Sequence, residues 1–145
     1  MRALLGGNGR SAAAAIIKSD LTQQPAFSDL IQPILQRRCL ACHGPEKHKG
    51  DLSVESYDAL LKGGKGGPVL IAGKALDSPM IHRLLLPLND DDHMPPDGKP
   101  QPILAEIAAL QWWIERGAPV DKTVGDLKPG PEIQRILSAA QVGSQ

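Results

Sequence analysis

The chain has 145 residues, 16 basic and 16 acidic, and a formal net charge of zero, which argues against a nucleic-acid protein or one held to a strongly anionic membrane. Its length suits one domain with a real core, yet only 3% of its residues are aromatic. No stretch approaches the roughly 20 consecutive apolar residues needed to span a bilayer.

Residues 1–25 read as a peripheral extension. Gly6, Gly7, Gly9 and Arg10 interrupt any apolar run, and the segment 12–17 is shorter than a normal signal core, so no signal peptide is read here. Ser28 is placed to cap a first helix whose stripe of Phe27, Leu30, Ile31, Ile34 and Leu35 recurs at helical spacing. Pro33 lies inside that stripe, removes a donor, and is expected to loosen or kink the helix.

The helix leads into Cys39-Leu40-Ala41-Cys42-His43, the C-x-x-C-H sequence that attaches a c-type haem. On a helix Cys39, Cys42 and His43 stand at i, i+3 and i+4, so two sulfurs and one imidazole share a face. Two thioethers would fix the edge of a porphyrin while His43 reaches its iron. A haem would also supply the flat, bulky centre that so few aromatics leave missing. Three other readings use the same cysteines. A zinc site needs His48 with His82 or His93 to complete its four ligands, a thioredoxin-like pair expects a βαβ context that the sequence lacks, and a simple disulfide remains the bland alternative.

Gly44-Pro45 ends this helix, and 46–51 reads as a polar loop. A short helix is predicted over 56–62, stopped by Gly63-Gly64. The run Gly63-Gly64-Lys65-Gly66-Gly67-Pro68 has the look of a phosphate loop, but Lys65 is followed by Gly and no parallel-sheet pattern surrounds it. A flexible backbone packed close to the haem is the expected alternative. Asp77-Ser78-Pro79 marks the start of a third helix running to Leu86. The acidic loop that follows holds Asp90, Asp91, Asp92 and Asp97 around His93-Met94-Pro95-Pro96.

Pro102 is expected to open the last core helix and Gly117 to close it, with Ile103, Ile107, Leu110 and Ile114 facing the first helix and Trp113 alongside. Trp112 and Trp113 read as packing residues. A small helix over 131–140 ends the chain. The basic residues Arg37, Arg38, Lys47 and Lys49 around the pentad, and the later aspartates, read either as two solvated faces or as partner-docking surfaces.

A haem iron bound by His43 needs a sixth ligand or an open site. Met94 is the leading candidate, because a proline-stiffened loop can hold a thioether at iron with little entropy lost on folding. Met80, His82 and His93 are the competitors. Arg83 and Lys99 are candidates for a haem propionate, against exposed side chains as the ordinary reading.

These residues together give a resemblance to a class I cytochrome c domain, in particular the variety of planctomycete and related bacterial multidomain proteins. The matching features over 27–119 are Ile31-Gln32-Pro33-Ile34-Leu35, Cys39-x-x-Cys42-His43-Gly44, the glycine-rich run ending in Gly67-Pro68, Ser78, Met94-Pro95-Pro96 with Gly98-Lys99, and Trp113-Ile114 before Gly117-Ala118. The resemblance implies an all-α cytochrome c fold over 26–120, wrapped around one covalently attached haem c, with Met94 as the axial thioether and 121–145 as a second extension. It implies a single-electron carrier, not an enzyme, serving redox partner proteins or attached domains, in the periplasm or another extracytoplasmic space. A peroxidase-like module with a distal histidine, or a haem-based sensor with an exchangeable sixth ligand, are the alternatives.

Overall fold

The computed structural model describes residues 21–39 and 49–142; Cys42, His43, Lys47 and His48 lie outside them. Among the described residues the elements are helical, and no strand forms beyond two isolated bridges, Pro25 with Thr123 and Gly64 with Gly67. The all-α reading holds.

The first helix is built in two parts. A π-helical turn, Phe27–Ile31, runs into α1, Gln32–Arg38, and the Gln32 amide donates five residues back to Phe27 O. Widening the turn is the local answer to Pro33, which lacks an amide hydrogen and crowds the preceding turn of a regular helix. Ser28 is not the cap that its identity suggested. The Asp29 amide already bonds Pro25 O, and Ser28 Oγ donates to Asp29 Oδ1 at 3.2 Å.

Helix α2, Tyr57–Lys62, forms where local chemistry demands: Ser56 Oγ accepts from the Ala59 amide at 3.1 Å and Gly63 ends it at φ +80°. The glycine run that follows is a closed turn, not a loose loop. Gly64 and Gly67 exchange amide-to-carbonyl bonds of 2.9 and 3.0 Å, and the Lys65 amide donates to Gly50 O. A Cβ on Gly64 would stand 2.6 Å from Gly50 O, so only glycine allows this approach. With those amides spent on carbonyls, no phosphate cradle remains.

Helix α3, Pro79–Leu85, follows a 3-10 turn, Ala75–Asp77. Ser78 precedes it but caps nothing with its side chain. It is fully buried, and its hydroxyl accepts from the Ile71 amide and donates to Lys74 O, tying down the incoming segment instead.

Helix α4, Leu104–Glu115, begins two residues later than Pro102 suggested, with Ile103 at its N-cap. It ends in a Schellman pair, Gly117 N to Ile114 O and Ala118 N to Trp113 O, with Gly117 at φ +96°. Trp113 is fully buried against Phe27 at 5.5 Å between ring centroids, so α4 does meet the first helix. Its largest neighbour is α5, Pro131–Val142, which carries Leu137 and Ala140 into the core. The chain before Phe27 joins in: Ala26 N bonds Lys122 O, Val124 N bonds Gln24 O, and Leu21 is buried.

Tyr57 closes the aromatic cluster edge-on to Phe27 at 5.2 Å, and its hydroxyl donates to Ala118 O at 2.8 Å. Burial, then the nearby Asp121 and Asp58, push its phenol above the ordinary value of 10.0. The native state therefore keeps a proton that the unfolded chain releases, so this stability is present below about pH 10 and lost as pH rises through the raised value. Tyr57→Phe is expected to cost about 1 kcal/mol at neutral pH through the lost bond and to flatten the alkaline decline, read from urea midpoints on both sides of pH 10.

Candidate functional site

Cys39 stands at the C-terminal cap of α1, its amide bonded to Leu35 O at 2.8 Å, and it packs half-buried against the core. The helix that delivers it is locked in place by charge. Arg37 Nη2 and Arg38 Nε reach Glu106 Oε2 and Oε1 on α4 at 2.7 and 2.8 Å, and Glu106 is fully buried. Glu106 Oε1 also accepts from the Ile103 amide at 2.9 Å, half of a capping box, and Arg37 Nη2 donates to Ala140 O on α5 at 3.0 Å. Arg37 and Arg38, read from sequence as part of either a solvated face or a docking surface, instead anchor on the buried Glu106 and join three helices. Sequence reasoning missed Glu106, whose partners are 68 and 69 residues away.

The acidic loop is held from both sides. The last carbonyls of a helix have no partner within it, and here the Met94 amide donates to Arg83 O at 3.2 Å while His93 Nδ1 donates to Leu86 O at 2.8 Å. On the far side Gln101 meets His93 Nε2 through Oε1 at 2.8 Å. Its Nε2 faces Pro95 O, Pro96 O and Lys99 O at 2.8, 3.1 and 3.2 Å. His93 is buried, Met94 is half-buried, and Asp90, Asp91, Asp92 and Asp97 are exposed as a solvated acidic face.

These contacts sort the ligand candidates. His93 has both ring nitrogens engaged. Met80 packs against the hydrophobic core, the usual fate of a methionine. His82 is exposed on α3, and Met94 alone combines partial burial with a place outside the core cluster. Arg83 points to the Asp92 side chain and carbonyl in a loose exposed pair, 3.9 Å at its ionic contact, and Lys99 is exposed. Trp112 is nearly buried with its Nε1 unpartnered, and Trp113 Nε1 donates to Pro119 O, so both indoles pack as expected. The zinc reading loses His93 as a fourth ligand by the same bonds.

No helix among the described residues is long and apolar enough to cross a membrane. No curated protein and no solved structure matches the chain. A family model described as Planctomycete cytochrome C does match, over residues 39–98, a span that opens on Cys39 and takes in Met94. Residues 39–98 are thus similar to a planctomycete-type cytochrome c domain, a likeness that supports a haem-based electron-transfer role.

Proposed function

We propose that the protein is a monohaem c-type cytochrome passing single electrons between redox proteins or attached domains, with haem c held through Cys39 and Cys42 and its iron ligated by His43 and Met94. One observation carries the reading. Of two adjacent residues in a loop pinned to α3, His93 has both ring nitrogens in hydrogen bonds while Met94 is half-buried and outside the core cluster. The donor chemistry fits, since a cysteine thiol can be joined to the edge of a porphyrin as a thioether and a methionine thioether is a suitable axial ligand for haem iron.

Haem c supplies a one-electron iron couple, and thioether ligation favours its reduced form. The chain's own residues hold and tune. Arg37, Arg38 and Glu106 fix the helix that presents Cys39, and the carbonyls of Arg83 and Leu86 fix the backbone on which Met94 sits. A site fixed at both ends needs little rearrangement when charge changes, which is what a carrier requires. No acid, base or nucleophile is called for, so the reading is an electron carrier and not an enzyme. Covalent attachment at C-x-x-C-H takes place outside the cytoplasmic membrane in cytochromes of this kind, which puts the protein in an extracytoplasmic compartment.

A haem-stained denaturing gel tests the attachment. Colour is expected to stay with the wild-type chain and to disappear from the Cys39→Ser/Cys42→Ser double variant. A colourless wild type, or a double variant that stains equally, sinks the reading.

A further inference from the structure

Gln101 lies outside the Met94 loop, two residues before the N-cap of α4, yet among the described residues its side-chain bonds all go to that loop. Its Oε1 takes His93, the residue before Met94, and its amide nitrogen takes Pro95 O, the residue after it, as well as Pro96 O and Lys99 O. Prolines cannot donate, so a carbonyl is the only backbone polar group each offers; Pro95 O is part-buried and must find a donor, while Pro96 O also accepts from the Lys99 amide. A primary amide is the side chain for the task. It carries an acceptor on one arm and two N–H groups on the other, so one planar group serves both sides of Met94. Two hydrogens shared among three carbonyls leave the loop held at its start, middle and end. Two further attachments, Met94 N to Arg83 O and His93 Nδ1 to Leu86 O, tie the same loop to the end of α3.

We infer that Gln101 is a positioning residue that keeps the Met94 thioether on the iron by clamping the loop on both sides of it. The inference rests on Met94 being the sixth ligand. It assigns Gln101 control over how often that ligand lets go, and hence how readily an outside ligand can enter. The amide itself touches neither iron nor porphyrin in this role.

The test uses full-length holoprotein and imidazole as the entering ligand of the oxidised iron, followed by absorption. Gln101→Ala removes both arms. Gln101→Glu keeps the shape and the oxygen facing His93 but places a second oxygen against three carbonyls. Both are expected to bind imidazole at least tenfold more tightly than wild type, the scale of losing one or two net hydrogen bonds, with unchanged helicity. Met94→Ala should bind more tightly still, and Met94→Ala/Gln101→Ala no more tightly than Met94→Ala, because the clamp acts only through Met94.

Wild-type imidazole affinity in both Gln101 variants overturns the inference while leaving Met94 ligation intact. So does an equal gain from Gln101→Ala with or without Met94, or a loss of helicity in both variants, which makes Gln101 a general stability determinant. If Met94→Ala itself binds imidazole like wild type, the ligand assignment has failed instead, whatever Gln101 does.

Discussion

Met94→Ala is expected to lower the reduction potential by on the order of tenths of a volt, a substantial share of the roughly 0.8 V range that axial ligands span, and to turn a closed iron into one that binds carbon monoxide rapidly when reduced. The direction follows from the thioether's preference for the reduced metal. Two controls separate loss of a ligand from collapse of a loop. Met94→His restores a nitrogen ligand, so it should close the site to carbon monoxide yet keep the potential low. Met80→Ala and His82→Ala should leave potential and spectrum unchanged, since Met80 serves the core and His82 is exposed, although the first will cost stability. Potentiometry and carbon monoxide flash experiments on these four variants read the outcome. An unchanged potential and a carbon-monoxide-inert iron in Met94→Ala would remove Met94 from the coordination sphere and reopen the case for another ligand.

Much of this arrangement was legible from residue order wherever the signal was local. Ser56 with Gly63 and the glycine at 117 act within one turn of the helix they bound, so helices near 56–62 and 103–117 could be drawn from the letters alone. Cys39, Cys42 and His43 fall within five consecutive residues and needed no fold to be noticed. Local signals misled where a distant contact had already done their work. Ser28 is dispensable as a cap because the helix starts earlier, with Ala26 tied to Lys122, whereas Asp77-Ser78-Pro79 did mark the start of its helix at Pro79. Gln101 and Glu106 were overlooked for a different reason. Each looks like an ordinary polar residue at a helix entrance, and its meaning lies in carbonyls or guanidiniums that only folding brings within reach. The doublet Arg37-Arg38 directly before the pentad was the one available hint, because two arginines at the end of an apolar helix find a carboxylate partner wherever folding covers them.

Glu106→Ala is the substitution expected to cost the most stability. Glu106 has no exposed side-chain surface, and Arg38 has 6%, so truncation leaves a guanidinium without its counter-ion where water cannot replace it. Breaking a buried pair from one side costs about 3–5 kcal/mol, against a total of roughly 5–15 kcal/mol for a whole domain. The lower end of that range applies, because Arg37 is 22% exposed and can recover some hydration. Glu106→Gln retains an oxygen for the Ile103 amide and should lose less. Arg38→Ala should be worse than its neighbour's loss by burial, though Arg37→Ala also frees the carbonyl of Ala140 on α5. The Arg38 effect should fade little in salt, since a pair almost out of contact with solvent is poorly screened, and the part-exposed Arg37 should be the more salt-sensitive of the two. The same logic provides a rescue: Glu106→Leu combined with Arg37→Leu and Arg38→Met removes every charge together and should recover most of the loss. Urea midpoints across this series decide it, and a loss below about 0.5 kcal/mol for Glu106→Ala, the size of an exposed pair, would show that the carboxylate is not an anchor. Because Cys39 follows Arg38 directly, a loosened anchor also lets the cysteine-bearing helix end move relative to α4. The yield of covalently stained protein should therefore fall with the urea midpoint across the series, tying the stability of one buried carboxylate to the capacity of the chain to acquire its cofactor.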